Sequence, residues 1–146
     1  MAIQIQWVGL AEGSAMDSRQ AITLVGFNQV IVVPNSLPHQ WQTQIIVIAN
    51  EDEENETKLI RGHVIINIKD PEGDIVGSTS SFIDSAPRKF PDVPSTMLMA
   101  VFVGLELKDY GRYTVEATAR ESLEGPDLSK FVQPFYVVDN SKESDQ

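Results

Sequence analysis

The chain has 146 residues, no cysteine and a formal net charge of −10, from 11 lysines and arginines against 21 aspartates and glutamates. A chain of this length predicts one domain with a sizeable core, and without cysteine there is no disulfide framework, thiolate metal site or cysteine nucleophile. The negative charge repels phosphate backbones and anionic membranes, because such binding depends on lysine and arginine. We therefore expect neither nucleic acid nor membrane as a partner.

The amino terminus predicts a strand. Ile3, Ile5 and Trp7 alternate with glutamines, which gives the segment one apolar face. It has neither a basic start nor a continuous apolar run, so it does not resemble a signal peptide. No apolar run approaches the ~20 residues of a membrane helix. We expect a soluble, cytoplasmic protein, with a polar stretch at residues 12–19 after the first strand.

Residues 20–49 predict three strand segments. Two lie within residues 20–33, separated by a bend near Gly26 and stopped by Pro34. After a loop, residues 42–49 are apolar on both faces, as in a central strand. Trp41 precedes this run and is the candidate for a central core residue, with a place on a binding surface as the alternative.

The acidic connector at residues 50–56 is predicted to be a solvated loop. Calcium binding is the alternative, but the connector lacks the glycine turn and the spaced aspartates of a calcium loop. The two histidines, His39 and His63, lie in unrelated segments, whereas a transition-metal site needs several convergent ligands. We therefore predict no metal and no cofactor.

A hairpin is predicted around residues 70–73, which read Asp-Pro-Glu-Gly and favour a type I turn between strands at residues 59–69 and 75–80. Residues 81–95 contain three prolines and predict a long irregular crossover. This loop carries a basic and aromatic tip, which makes it the candidate for partner binding; the alternative is a plain crossover with its aromatic ring packed beneath it. The tip residues are Arg88, Lys89 and Phe90.

The strand predicted at residues 96–107 is apolar on both faces. Leu98, Ala100 and Phe102 share one face and are the candidate oligomer interface, with a two-fold dimer as the default symmetry. The alternative is that they are buried within the monomer. Strand addition by a partner requires that an exposed sheet edge be shown first.

Asp109, Gly111, Tyr113 and Val115 form the pattern D-x-G-x-Y-x-V at the start of a strand with unbroken alternation. The pattern resembles the tyrosine corner of immunoglobulin-like sandwiches, with Val115 where an antibody domain carries cysteine. The resemblance implies that the Tyr113 hydroxyl bonds to backbone near Asp109 while its ring caps the core.

The carboxyl-terminal part predicts a polar loop at residues 121–130, a last strand at 131–138 and a polar, frayed tail at 139–146. Eight or nine strands in residues 1–138, without a helical pattern, predict an all-β, immunoglobulin-like antiparallel β-sandwich. The order of landmarks also resembles a family of small uncharacterised bacterial proteins with this fold, which implies the fold and no activity. The carrying segments are residues 24–27, 31–34, 68–73 and 105–115.

No catalytic motif accompanies this fold. Residues 77–81 lack the closing glycine of a nucleophile elbow, and no phosphate-binding loop is present in the sequence. We predict a non-catalytic protein-binding module. Two alternatives stay open: a structural subunit of a homo-oligomer built through residues 97–107, and a hydrolase whose paired carboxylates are set by geometry that no motif reveals.

Overall fold

The computed structural model describes residues 3–18, 22–26, 30–51, 61–84 and 96–139, which form ten strands and no helix. Within these ranges there is accordingly no apolar helix of bilayer-spanning length. The strands are β1 (Ile3–Ala11), β2 (Gly13–Met16), β3 (Ile22–Val25), β4 (Ile31–Val32), β5 (His39–Glu51), β6 (Arg61–Lys69), β7 (Ile75–Asp84), β8 (Thr96–Leu107), β9 (Gly111–Arg120) and β10 (Asp127–Val137).

The strands build two sheets and a separate hairpin. One sheet has the order β1-β5-β8, the other has the order β4-β10-β9-β6-β7, and β2 pairs with β3. Strands β5, β6, β8, β9 and β10 take the places of strands B, C, E, F and G of an immunoglobulin-like sandwich. The predicted all-β sandwich is confirmed. Its pairing departs from the antiparallel expectation at one point, since β4 pairs with β10 in parallel.

The core lies between the two sheets and is supplied by alternate residues of their strands. In β9 the predicted alternation is present, with every inward residue from Tyr113 to Ala119 buried. The ring of Phe135 lies 4.9 Å from that of Trp41 and 5.1 Å from that of Tyr113. Aromatic pairs of this kind add about 0.5–1.5 kcal/mol to the burial of their area. Trp41 is therefore a core residue, as predicted.

The predicted apolar face of β1 is wrong beyond Ile5. The register with β5 shifts between Ile5 and Trp7, so a bulge moves the following residues to the other side. Val8 and Leu10 face the core and are fully buried, whereas Trp7 pairs with Ile48 on the outer face. The Trp7 indole lies across Gly9, where any Cβ atom would collide with it.

Several strand boundaries also differ from the predictions. Part of the polar stretch at residues 12–19 forms β2, β7 continues to Asp84, and β10 begins at Asp127. Strand β5 runs from His39 to Glu51, so the first two residues of the predicted acidic loop belong to a strand. Many of the missed residues are small or polar, and backbone pairing does not require apolar side chains. Phe82 and Ile83 were missed because the prolines that follow them predicted an irregular segment from residue 81 onwards. The acidic connector from residue 52 onwards and the tail from residue 140 onwards lie outside the described residues.

The two sides of the sandwich differ. On one side β1 approaches β10, and the Ile5 amide donates a hydrogen bond of 3.0 Å to the Ser129 hydroxyl, which joins the two sheets. On the other side β7 and β8 are the outer strands of their sheets. The described part of the sandwich is therefore bridged along one side and ends in two edge strands along the other.

Candidate interaction surface

The hairpin turn between β6 and β7 is held by its own backbone and by one side chain. The Gly73 amide donates to the Asp70 carbonyl at 3.0 Å, and the Asp70 amide donates to the Asp74 carbonyl at 2.9 Å. The Asp70 carboxylate accepts from the amides of Glu72 at 3.0 Å and Asp74 at 2.9 Å. Gly73 has a φ of 91°, which favours glycine. The predicted turn is confirmed, and it fixes where β7 begins.

Strand β7 is an edge of the five-stranded sheet. In the described part of the chain its only paired neighbour is β6, with a register shift at Ile75 and regular pairing from Gly77 to Asp84. Antiparallel strands use every second residue for one neighbour, so the alternate residues direct their N–H and C=O groups away from β6. These groups make a row of donors and acceptors that another extended chain can pair with.

Apart from the register shift at its start, β7 lacks the usual devices that protect an edge. Proteins block exposed edges with lysine, proline, bulges or very short strands. Residues 75–83 contain no charged residue and no proline, and the one irregularity lies at the start of the strand. The edge is therefore long and uncharged.

Phe82 provides an apolar anchor beside this edge. Its side chain is 56% exposed on the outer face of the sheet. Its ring lies 5.2 Å from that of His63 on the neighbouring strand, at an angle of 56°. The contact with His63 gives the Phe82 ring a defined place while leaving more than half of its surface in solvent, where a partner can cover it.

A cleft of about 300 Å³ opens at the end of the sandwich that carries the hairpin turn. The hydroxyl of Tyr113 donates to the Asp109 carbonyl at 3.0 Å and accepts from the Asp109 amide at 3.3 Å. Burial raises the pKa of Tyr113 above its ordinary value of 10.0, and the Asp109 charge acts in the same direction. The lining residues are Asp70, Val76, Glu106, Lys108, Asp109 and Tyr113.

Two of the polar groups in this cleft are committed to local structure. The Asp70 carboxylate holds the hairpin turn, and the Tyr113 hydroxyl closes the predicted tyrosine corner. Among the residues that the structure describes, no three histidine, cysteine or acidic side chains are grouped to hold a metal ion. The lining carries three carboxylates and the one ammonium group of Lys108, so it is negative on balance, and the contacts described for Asp70 and Tyr113 are structural.

The candidate sites from the sequence are placed only in part. Arg88, Lys89 and Phe90 lie outside the described residues, so their role stays a prediction. The backbone of β8 is described, whereas the side chains of its first eight residues are not. Its register sets Leu98, Ala100 and Phe102 opposite Ile48, Ile46 and Gln44 of β5.

The structural candidates do come together at the corner. Gly111 has a φ of 130°, and a Cβ atom there would lie 3.0 Å from Cγ of Pro71 in the hairpin turn. Glycine is needed both for the backbone conformation and for this close approach. Gly111 thus lets the β8–β9 turn approach the β6–β7 turn closely, while Asp109 and Tyr113 bond to each other within the corner.

Sequence reasoning missed the β7 edge. The sequence predicted a strand at residues 75–80 and placed Ser81 in the crossover, and the small polar side chains of residues 78–81 gave no sign of a sheet edge. Once the pairing with β6 is known, Thr79, Ser81 and Ile83 lie on the inner side and Ser78, Ser80 and Phe82 on the outer side. The available signal was the run of residues 75–83, which has no charge and no proline, carries β-formers at both ends and follows a strong turn.

Comparison with known proteins gives no family. No protein-family model matches the chain, and no curated protein matches it. A solved structure of a β-glucuronidase from glycoside hydrolase family 2 is similar over 90% of this chain, at 14% identity and a TM-score of 0.47, and the chain spans 12% of that enzyme's chain. The resemblance to small bacterial proteins stays a prediction, and the fold rests on the strand order and the tyrosine corner.

Proposed function

We propose that this protein is a non-catalytic protein-binding module that takes up an extended segment of a partner along β7. The observation that carries the proposal is the edge of β7, which pairs only with β6 among the described residues, is regular from Gly77 to Asp84 and is uncharged up to Ile83. In strand addition, main-chain hydrogen bonds give affinity and alternate side chains give specificity. Phe82 supplies an apolar contact beside that row of backbone groups. We further propose that the protein acts in the cytoplasm, the location expected from its sequence.

A charged edge variant tests the proposal. Ser78→Lys/Ser80→Lys places two lysines on the outer side of β7, a device by which natural proteins block edges. The matched control, Asn35→Lys/Ser36→Lys, adds the same charge in an exposed loop on a different part of the chain. Partners retained by the wild-type protein in an affinity capture from native cells should be lost with the β7 variant and kept with the control.

The same experiment separates β7 from the loop at residues 87–91. If the triple variant Arg88→Ala/Lys89→Ala/Phe90→Ala loses the partners and the β7 variant keeps them, the loop is the binding site and the β7 proposal is wrong. Circular dichroism and thermal melting of each variant show whether a loss of binding reflects unfolding.

A structural role through β8 is the second proposed function. It is supported by the position of β8 at the edge of the three-stranded sheet, where residues 96–105 carry no charge. Light scattering at micromolar concentrations tests it, since a monodisperse monomer contradicts a homo-oligomer. We do not extend either proposal to hydrolysis, because the Asp70 carboxylate already accepts two turn amides and the Tyr113 hydroxyl is taken up by the corner.

A further inference from the structure

We infer that the segment added to β7 has an uncharged, β-forming centre followed by lysine or arginine at its carboxyl end, and that it runs antiparallel to β7. This inference rests on the proposed function, because it specifies the partner of the same edge. Three observations support it: the distribution of charge along β7, the direction in which β7 runs, and the like charges that a second copy of the chain would place opposite this edge.

The centre of the added segment follows from the centre of β7. Residues 77–83 of β7 are uncharged, so a charged residue opposite them would lose hydration without gaining a partner. On the outer side, Phe82 offers an exposed ring to a cross-strand neighbour. Aromatic and β-branched pairs stabilise such positions, so valine, isoleucine or threonine suit the centre of the segment.

The charged end of the segment follows from the hairpin turn. Three carboxylates, from Asp70, Glu72 and Asp74, lie within five residues where β7 begins, and Glu72 and Asp74 are exposed. The cleft residues Glu106 and Asp109 add two more carboxylates at the same end of the sandwich, against the one ammonium group of Lys108 in the cleft lining. Antiparallel pairs are slightly more stable per residue than parallel ones, so the added segment runs antiparallel to β7. Strand β7 runs away from this end, so such a segment finishes there and brings its carboxyl-terminal residues to the acids. Lysine or arginine at those positions meets the carboxylates of the turn, whereas at its other end β7 itself carries one carboxylate, that of Asp84.

A second copy of this chain fits the edge less well. If two copies paired through β7 about a two-fold axis, residues of the outer face in one copy would lie opposite residues of the outer face in the other. The axis must then pass through a residue, and the two strands overlap along their full length only if that residue is Thr79 or Ser80. Asp84 of one copy then lies opposite or beside the acidic start of β7 in the other copy. Like charges that face each other across strands are destabilising, and each chain already carries a net charge of −10.

Synthetic peptides on the full chain provide the test. The first peptide alternates valine and threonine over seven residues and ends in two lysines; the second carries the lysines at its amino end; the third replaces them with glutamates. Binding is measured by fluorescence anisotropy at low and at physiological salt. The first peptide should bind about fivefold to tenfold more tightly than the second at low salt, with the difference decreasing as salt rises. Equal affinities, or a tighter third peptide, would overturn the inference.

Two pairs of variants locate the effect. Glu72→Gln/Asp74→Asn should abolish the preference for the first peptide, because it removes the exposed charges at the turn. Its matched control, Glu121→Gln/Glu124→Gln, removes the same charge from the exposed turn between β9 and β10 and should keep the preference. A preference that survives the first pair, or is lost with the control, contradicts the role of the β6–β7 turn.

The outcomes also distinguish this inference from the proposed function. If the β7 lysine variant loses its cellular partners while the peptides bind without regard to charge, the edge is the site and the charge inference fails. If the peptides bind the β7 lysine variant as tightly as the wild type, the edge assignment itself fails. Concentration-dependent dimerisation that the β7 lysine variant abolishes would identify a second copy as the occupant and overturn the inference.

Discussion

Replacement of Tyr113 by phenylalanine isolates the hydrogen bonds of the tyrosine corner from the packing of its ring. The hydroxyl makes one bond of 3.0 Å to the Asp109 carbonyl and a longer one of 3.3 Å from the Asp109 amide. An intramolecular hydrogen bond contributes about 0.5–1.5 kcal/mol net, and the longer bond lies beyond the usual range. Asp109 is exposed, so water can replace the lost partner. We expect a loss of about 1 kcal/mol.

Urea unfolding and thermal melting measure this loss. A change of about 1 kcal/mol lowers the melting temperature of a chain of this size by roughly 2–4 °C. The control is Tyr110→Phe, which removes a hydroxyl from a 43% exposed tyrosine in the same turn and should leave the midpoint unchanged. An unchanged midpoint for Tyr113→Phe would refute the stabilising role of the corner. A loss above about 3 kcal/mol would show that the ring has repacked.

The pH dependence of stability gives a second test of the same group. The pKa of Tyr113 is raised in the folded protein, chiefly by burial, so the folded state holds the hydroxyl proton to higher pH than the unfolded state does. The contribution of this group is therefore fully present below pH 10.0 and is lost as the pH rises through the folded pKa. Tyr113→Phe should reduce the decline in unfolding free energy above that pH, and an identical decline in both proteins would contradict the assignment.

Two further predictions concern the neighbouring turn and the outer face of the five-stranded sheet. Gly111→Ala should destabilise the protein by about 1–3 kcal/mol in urea unfolding, because alanine at a φ of 130° is strained and its Cβ meets Pro71; an unchanged midpoint would show that the turn relaxes freely. Glu116→Gln should cost about 1 kcal/mol or less at low salt, because the partly exposed carboxylate lies 3.1 Å from the Lys69 ammonium and 3.5 Å from that of Lys130. This loss should shrink in about 1 M salt, and a loss independent of salt would point to packing instead.

The fold could be predicted from the sequence where local signals are strong. Proline and glycine specify the turn at residues 70–73. The alternation of apolar and polar residues specifies the strand from Gly111 onwards. The bulge in β1 could not be predicted, since Ile3, Ile5 and Trp7 alternate without a break and only the register with β5 shows where the extra residue lies. The parallel pair of β4 and β10 depends on residues far apart in the chain, which periodicity does not report.

The candidate site was less accessible to sequence reasoning than the fold. Exposure of an edge is a property of the whole sheet, since β7 has the same residues whether or not another strand lies beside it. Sequence analysis accordingly favoured the basic loop at residues 88–90 and the apolar strand at residues 97–107, which have unusual composition. The serines and threonines of β7 can be recognised as part of a candidate site only once the strand order places them at the edge of the sheet.

The parallel pairing of β4 with β10 has a mechanical consequence. The Tyr136 amide donates to the Val30 carbonyl at 2.8 Å, and the Val138 amide donates to the Val32 carbonyl at 3.0 Å. The segment that precedes β4 and the segment that follows β10 leave this pair at opposite ends. Tension that reaches the pair once β1 has been pulled from β5 therefore draws the two parallel strands in opposite directions along their length. The bonds are then loaded together in shear rather than opened one after another. Under force, where the unfolding rate governs survival, this short pair resists as a unit.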